Sequence, residues 1–339
     1  MKAISIALYA AVLLAGVVPA GAADQTVQFK ISHWVPPTHP LQPALEAWAR
    51  DVEQESGGTI KVTIFPAEQL GKAFDHYDMA RDGIADMTYV NPGYQPGRFP
   101  VIAAAELPFL FADAKGGTAA IDEWYRKYAA REMKDVHFCA AFVHDPGSFH
   151  SRKKIARPED LRGLKVRPAD ATIGELVTLL GGTNVQASAP QARDVLERGV
   201  ADAITFPWGS VFLFGIDKVV KFHMDAPLYV STFVLAINTA KYDSMSPAQK
   251  KAIDDHCNTE WAVKIASPWA DFEAAGRERM RKEPGHDVYK LTTEEIAAWR
   301  TAVEPLNDKW AAGARSAGYD PAEIMAALKA SLEQNHAAF

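Results

Sequence analysis

Two cysteines in 339 residues cannot staple a chain of this length, so its stability must come from apolar burial and not from a disulfide framework. Cys139 lies in the apolar run Val136–Val143 and Cys257 in a stretch that reads as helix. Neither has the paired spacing of a zinc site. An oxidising compartment would let them close one bridge, but two buried free thiols are the favoured reading. Charge of one sign is also lacking. The balance of 36 Lys and Arg against 42 Asp and Glu leaves −6, with no basic stripe of the kind nucleic-acid binding requires. Beyond Val18 no apolar run approaches the roughly 20 residues that span a bilayer. Repeats and low-complexity tracts are absent as well.

The sequence is equally short of catalytic signatures. It contains no His-Glu-x-x-His, Gly-x-Ser-x-Gly, Gly-x-x-x-x-Gly-Lys or Gly-x-Gly-x-x-Gly. Ser151 to Lys154 spells Ser-x-x-Lys, but on a basic loop and without the companion elements of acyl-enzyme chemistry. His144 and His150 have no convincing third ligand, and Glu294-Glu295 reads as the acidic first turn of a helix. No enzyme, cofactor or metal site is therefore expected.

At the N-terminus, Lys2, the apolar Ile4–Val18 and Ala20-Gly21-Ala22 have the form of a secretory signal, with cleavage expected near Ala23 or Asp24. Losing Lys2 leaves the remaining chain slightly more acidic. That remainder is expected to be periplasmic and soluble, not membrane-embedded. Its length of about 315 residues favours two lobes, since single cores stop growing near 250–300 residues. Eight tryptophans and sixteen phenylalanines supply core material.

Alternation at Val27, Phe29 and Ile31 predicts a strand, and Leu41, Leu45, Trp48 and Val52 predict a helix. Ile60, Val62 and Ile64 alternate again. A helix from Ala73 and the strand Ala85–Val90 complete a βαβαβ opening with a mostly parallel sheet. The chain is expected to cross between lobes near Asp145-Pro146-Gly147 and to return along Tyr229–Asn238. Pro247 opens a long helix, read as reaching about Arg281 with a bend near Pro268. Two closing helices, Thr293–Ser316 and Pro321–Gln334, follow a turn at Glu283.

The stretch Gly163–Trp208 says most. It reads as strand, helix, strand, helix, strand: Lys165–Arg167, a helix carrying Ile173, Leu176, Val177 and Leu180 until Gly181-Gly182, and a second helix from Pro190 to Gly199. Arg167 ends a parallel strand in front of a helix, at the rim of an open sheet where ligands bind. A guanidinium there can grip a carboxylate as a fork. The alternative is a surface arginine paired with Asp170 or Glu175.

This stretch resembles the DctP-type solute-binding proteins of TRAP (tripartite ATP-independent periplasmic) transporters. The matching runs are Pro158-Glu-Asp-Leu-Arg-Gly-Leu-Lys-Val-Arg167, Leu180-Gly-Gly-Thr-Asn-Val185 and Asp194-Val-Leu-Glu-Arg-Gly-Val-Ala-Asp202. Ser32–Pro40, Phe65–Gly71, Gly93–Pro100 and Ser231–Asn238 extend the likeness in the family's order. The resemblance implies an α/β, two-lobed periplasmic binding protein fold with mixed, mostly parallel sheets, hinge strands and a long helix spanning both lobes. Lobe I would comprise residues 24–145 and 229–268, and lobe II residues 146–228 and 269–339, with the C-terminal helices on lobe II.

By the same resemblance, Arg167 is the family's carboxylate anchor, with Phe206 and Trp208 in the cleft after the third strand of this unit. Many relatives carry a polar residue at the position of Phe206, and metal-assisted keto-acid binders carry Glu-Trp at positions 205 and 206. This chain has neither. Where some relatives hold a second arginine, Gly147 stands here, which favours a monocarboxylate. His33, Trp34, Phe149 and His150 are further candidates for the cleft, with Asn91, Tyr94 and Phe233 as wall residues. The implied function is a TRAP receptor that closes on an organic acid and delivers it to a small and a large membrane permease subunit. Aromatic acids come first, then branched 2-oxo acids, then short dicarboxylates. The alternatives are the receptor of an ATP-driven or sensor system, or a secreted hydrolase using the cleft.

Overall fold

The computed structural model describes residues 24–339; the expected signal segment lies outside the described residues. Among the described residues eleven strands form two sheets. In chain order they are β1 (Val27–Ser32), β2 (Ile60–Phe65), β3 (Met87–Val90), β4 (Val136–Val143), β5 (Ser148–Ser151), β6 (Lys165–Arg167), β7 (Thr183–Asn184), β8 (Ala203–Phe206), β9 (Phe222–Met224), β10 (Thr232–Asn238) and β11 (Asp287–Tyr289).

The first sheet has the order β2-β1-β3-β10-β4 and the second β11-β9-β5-β8-β6-β7. Strand β1 runs parallel to β2 and β3, while β10 runs antiparallel to β3 and β4. In the second sheet β6 is parallel to β7 and β8, and β5 is antiparallel to β8 and β9. The chain thus leaves the first sheet after Val143 and returns to it at Thr232. Buried Phe29 and Ile31 on β1, with Trp48 and Leu45 on the following helix, fill one face of the first sheet, and Trp124, Ile121 and Ala141 fill the other. Phe149, Val166, Leu176 and Trp299 form the core of the second.

A third link is helical. The helix Thr259–Met280 packs on helices Leu41–Glu55 and Ala114–Glu132 beside the first sheet and on Trp208–Leu213 beside the second. It touches the last of these backbone to backbone: a Cβ on Gly276 would fall 2.2 Å from the Gly209 Cα, so glycine is required there.

Four expectations need correction. The long helix does not begin at Pro247: a helix Pro247–Asp254 stops, and Asn258 caps a new one by accepting from the Trp261 N–H at 3.0 Å. The closing stretch is likewise two helices, Thr293–Ala302 and Glu304–Ser316, because Pro305 fits a first turn and not a helix interior. The last helix, Pro321–Gln334, lies mainly on Ala114–Glu132 beside the first sheet, with Met325 also reaching the second core. Its stripe Ile324, Leu328 and Leu332 joins the core that holds Trp124. Finally, Cys139 and Cys257 are bonded to each other, with Cα atoms 4.4 Å apart, and are not free thiols.

Candidate functional site

Between the facing rims of the two sheets lies a cavity. Arg167 forms one end. Its strand stops at Pro168, and Asp170 then opens the helix Ala171–Leu179 by accepting from the Ile173 N–H at 2.9 Å. The side chain is 1% exposed. Its Nε donates to the Ala187 carbonyl at 2.8 Å and its Nη2 to the Tyr94 hydroxyl at 3.2 Å. The Phe206 ring lies beneath the guanidinium, 5.5 Å from centre to centre. The two acids weighed as its partners are engaged elsewhere: Asp170 Oδ2 accepts from Ser231 at 3.0 Å, and Glu175 pairs with Lys309 at 3.2 Å. Among the described residues no carboxylate forms an ion pair with Arg167. Asp170 feels the guanidinium only through space, and a buried cation with no direct ion pair gains from an incoming anion.

The walls are aromatic. Trp34, Phe233 and Trp269 line the cavity in succession, with ring centroids 6.4 and 5.1 Å apart. Phe206 and Phe214 meet edge to face at 5.4 Å on the side of Arg167. Trp34 spends its indole N–H on the Tyr89 carbonyl at 3.1 Å, so it presents an apolar face. The Tyr94 hydroxyl accepts from Arg167 and from the Ala189 N–H at 2.9 Å, which leaves its proton for a ligand.

Two lining histidines are held neutral. His144 joins the crossing segments: its Nε2 accepts from the Ser231 N–H at 3.0 Å and its Nδ1 donates to the Asp145 carbonyl at 2.7 Å. Burial pushes its pKa down to about 4. His39 accepts from the Leu41 N–H through Nδ1 at 3.1 Å, which fixes its proton on Nε2. Burial, with repulsion from His33, lowers it to about 3.

Carboxylates support the rim without lining it. Glu273 on the long helix accepts from the Gly209 N–H, the Ser210 N–H at 3.0 Å and the Trp269 indole at 2.6 Å. Burial raises its pKa to about 7. Beside the crossings, Glu106 accepts from Thr232 at 2.8 Å and, across the boundary between lobes, from Thr172 at 3.2 Å. Burial and the nearby Asp170 push Glu106 well above the usual carboxylate range, and burial raises Asp170 to about 6.

Of the expected site residues, Arg167, Phe206, Trp34, Asn91, Tyr94 and Phe233 come together around this cavity. The other four do not line it. Phe149 points into the core of the second sheet against Trp299, 5.7 Å between centroids. His150 sits behind the wall, its Nε2 at 3.0 Å from the Phe206 carbonyl and its Nδ1 at 2.8 Å from His223. Trp208 packs edge to face on that His150 ring at 5.0 Å. It is the first residue of a helix, so it turns away from Phe206, the last of β8. His33 is held by Gln42 at 2.7 Å. Sequence reading did not single out His39, His144, Ser210, Phe214, Tyr229, Ser231 and Trp269 as site residues. His144, Tyr229 and Ser231 flank the predicted crossings, which any interlobe cavity must border. Nothing in the sequence marks Trp269.

Residues 31–313 match the model of the bacterial extracellular solute-binding protein family 7, DctP. Solved structures share the whole architecture. A TRAP solute-binding protein from Rhodoferax ferrireducens, in complex with copurified benzoate, superposes with a TM-score of 0.86 at 29% identity, covering 92% of this chain and 99% of its own. A marine metagenome TRAP protein specific for aromatic acid ligands, from an unidentified microbe and holding 3-hydroxybenzoate, gives 0.85 at 31% identity, with 92% and 99% covered. One from Bordetella bronchiseptica with bound (R)- and (S)-mandelate gives 0.84 at 27%, with 91% and 99% covered.

Proposed function

Because this chain belongs to the bacterial extracellular solute-binding protein family 7 and is a TRAP-type solute receptor, we propose that its ligand is an aromatic monocarboxylate, held by Arg167 and enclosed between the two lobes. The observation that carries this reading is the buried guanidinium without a carboxylate partner at the end of an aromatic-walled cavity. A carboxylate accepts from its remaining N–H groups and from the Tyr94 hydroxyl, while the ring fills the space between Trp34, Phe206, Phe233 and Trp269.

Monocarboxylate follows from the want of a second cation. Arg167 is the only arginine or lysine among the lining residues described. The position that could carry another is closed, since a Cβ on Gly147 would sit 2.8 Å from the Phe206 carbonyl oxygen and from a Tyr229 ring carbon. Three solved relatives at 27–31% identity hold benzoate, 3-hydroxybenzoate or mandelate, which supports the same class. Branched 2-oxo acids rank next because they too are apolar with one carboxylate, and short dicarboxylates rank last.

TRAP receptors are periplasmic and serve membrane permeases. No helix among the described residues is long and apolar enough to cross a membrane, so movement of the solute is assigned to separate permease subunits. Residues 1–23 are assigned as the export signal, removed on secretion.

Isothermal titration of the secreted protein against benzoate, phenylacetate, 4-methyl-2-oxopentanoate and succinate tests the ligand class. An aromatic acid should bind most tightly, at micromolar Kd or below. Succinate binding more tightly than every aromatic acid would overturn the reading.

A further inference from the structure

Two buried carboxyl groups meet at the boundary between the lobes. Glu106 ends the helical turn Ile102–Glu106, whose Ile102, Ala104 and Ala105 join the core beside the first sheet. Asp170 caps the helix Ala171–Leu179 beside the second. The two residues are 1% and 3% exposed. The point that a Cβ on Gly93 would occupy lies 2.5 Å from the Asp170 Cβ and 2.8 Å from Glu106 Oε1, so both side chains crowd one small space. Only neutral donors serve them: Thr232 and Thr172 for Glu106, Ser231 and the Ile173 N–H for Asp170. Among the described residues neither carboxyl forms an ion pair.

Like charges enclosed together do not both ionise cheaply, and a shared proton is the simplest relief. Burial raises both groups, and the Asp170 charge raises Glu106 further. Arg167 steadies the Asp170 charge through space. A ligand carboxylate on that guanidinium cancels this help and brings another negative charge close by, which favours the protonated pair. Closure works in the same direction, because the Glu106–Thr172 and Gly93–Asp170 contacts both cross the boundary.

We propose that the receptor takes up a proton together with its anionic ligand, and that Glu106 and Asp170 share it at the lobe boundary. This rests on the aromatic-acid reading above and adds a proton to it. A groove lined by Glu106, Thr172, Glu175 and Lys309 gives the pair a path to solvent. Its Lys309 is paired with Glu175 at 3.2 Å and offers Glu106 no counter-charge. The phenols that feel Asp170, Tyr94 and Tyr229, are pushed upward by burial and keep their protons. The rival acceptors for an incoming proton are therefore His39 and His144, which line the cavity. By reciprocity, a receptor that gains a proton on binding holds its ligand more tightly as pH falls.

Calorimetric titration of benzoate and phenylacetate into the wild-type protein, in phosphate, HEPES and Tris buffers of different ionisation enthalpy, counts the protons taken up. At about pH 7, roughly half a proton to one proton per ligand is expected, with Kd rising about threefold to tenfold per pH unit above about pH 6. The variant Glu106→Gln/Asp170→Asn keeps the shape of the pair without its charge. It should bind with uptake near zero and a Kd that stays flat with pH. Uptake that survives in this variant would overturn the assignment, since the proton would then sit on a histidine or on the ligand. If the double variant does not fold, Glu106→Gln alone decides whether this pair holds the proton. Wild-type binding with no uptake would overturn the proton linkage and leave the aromatic-acid reading intact. Failure of both acids to bind would remove the underlying reading and this one together.

Discussion

Arg167 and Tyr94 belong to different lobes, and the guanidinium Nη2 donates to the phenol oxygen across the boundary at 3.2 Å. In the proposed function this contact would couple ligand capture to closure, because the same hydroxyl also accepts from Ala189 of the second lobe. A ligand carboxylate that binds this pair adds differential affinity for the closed arrangement. Arg167→Ala should lose about 2–5 kcal/mol of binding, roughly 30-fold to several thousand-fold in Kd. Arg167→Met should bind as poorly yet melt no lower without ligand, since it removes a buried unpaired charge. Calorimetry and thermal melts separate the two effects, and an Arg167→Ala protein with wild-type affinity would sink the anchor.

Tyr94→Phe keeps the ring and removes the bridge. It strands one N–H of Arg167 and the Ala189 N–H, and it deletes the donor offered to the ligand. Each stranded group costs about 1–3 kcal/mol. Affinity should fall by about tenfold or more, with the change appearing mainly as faster dissociation in stopped-flow traces.

The Glu106–Asp170 neighbourhood predicts a pH dependence. Both carboxyls are buried, and Asp170 rises from 3.8 to about 6. A carboxyl with a raised folded-state pKa binds its proton more readily when folded. Its contribution to stability is therefore greatest below the unfolded pKa and is lost as pH rises through the folded one. For Asp170 that window runs from about 4 to about 6, with Glu106 shifted in the same direction. The lowered histidines act oppositely below pH 6.5, so the comparison must be internal. Relative to Asp170→Asn, which can still cap its helix, the wild type should gain about 1 kcal/mol between pH 7.5 and pH 5. Parallel urea titrations read this directly; a gap that stays constant over that range would refute it.

What the sequence made legible was local. The strand β6 and its following helix are punctuated by Gly163, Asp170 and Gly181-Gly182, and this local pattern is enough to place Arg167 at a sheet rim. Phe206 and Trp208 read alike in the sequence because both follow the same strand, but Pro207 turns the strand into a helix between them and sends one ring to the cavity and the other behind it. Trp269 reaches the cavity only because its helix crosses both sheets, a long-range packing fact with no local pattern. The disulfide joins residues 118 positions apart, and burial at each end gave no hint of proximity.

Glu273 carries a prediction that separates wall placement from anchor chemistry. Through the Gly209 and Ser210 N–H groups and the Trp269 indole it ties the long helix to the wall. Glu273→Ala leaves these donors buried and unpaired, so melting should fall by roughly 2–4 kcal/mol of stability. Loosening Trp269 and Ser210 should also weaken every ligand by a similar factor, because the proposed carboxylate anchor, Arg167, is not touched. A selective loss of only one ligand class would contradict that role.

The Cys139–Cys257 bond should matter to folding and not to recognition. It ties β4 to the segment that opens the long helix, closing a loop of 118 residues. By chain entropy such a loop contributes on the order of 4–5 kcal/mol through the unfolded state. Neither cysteine lines the cavity. A Cys139→Ala/Cys257→Ala double variant should therefore lose roughly 10 °C in Tm while keeping its Kd within about twofold. An unchanged Tm would mean the unfolded chain is already constrained. A large loss of affinity at full folding would mean that the long helix passes strain from the bond to Trp269.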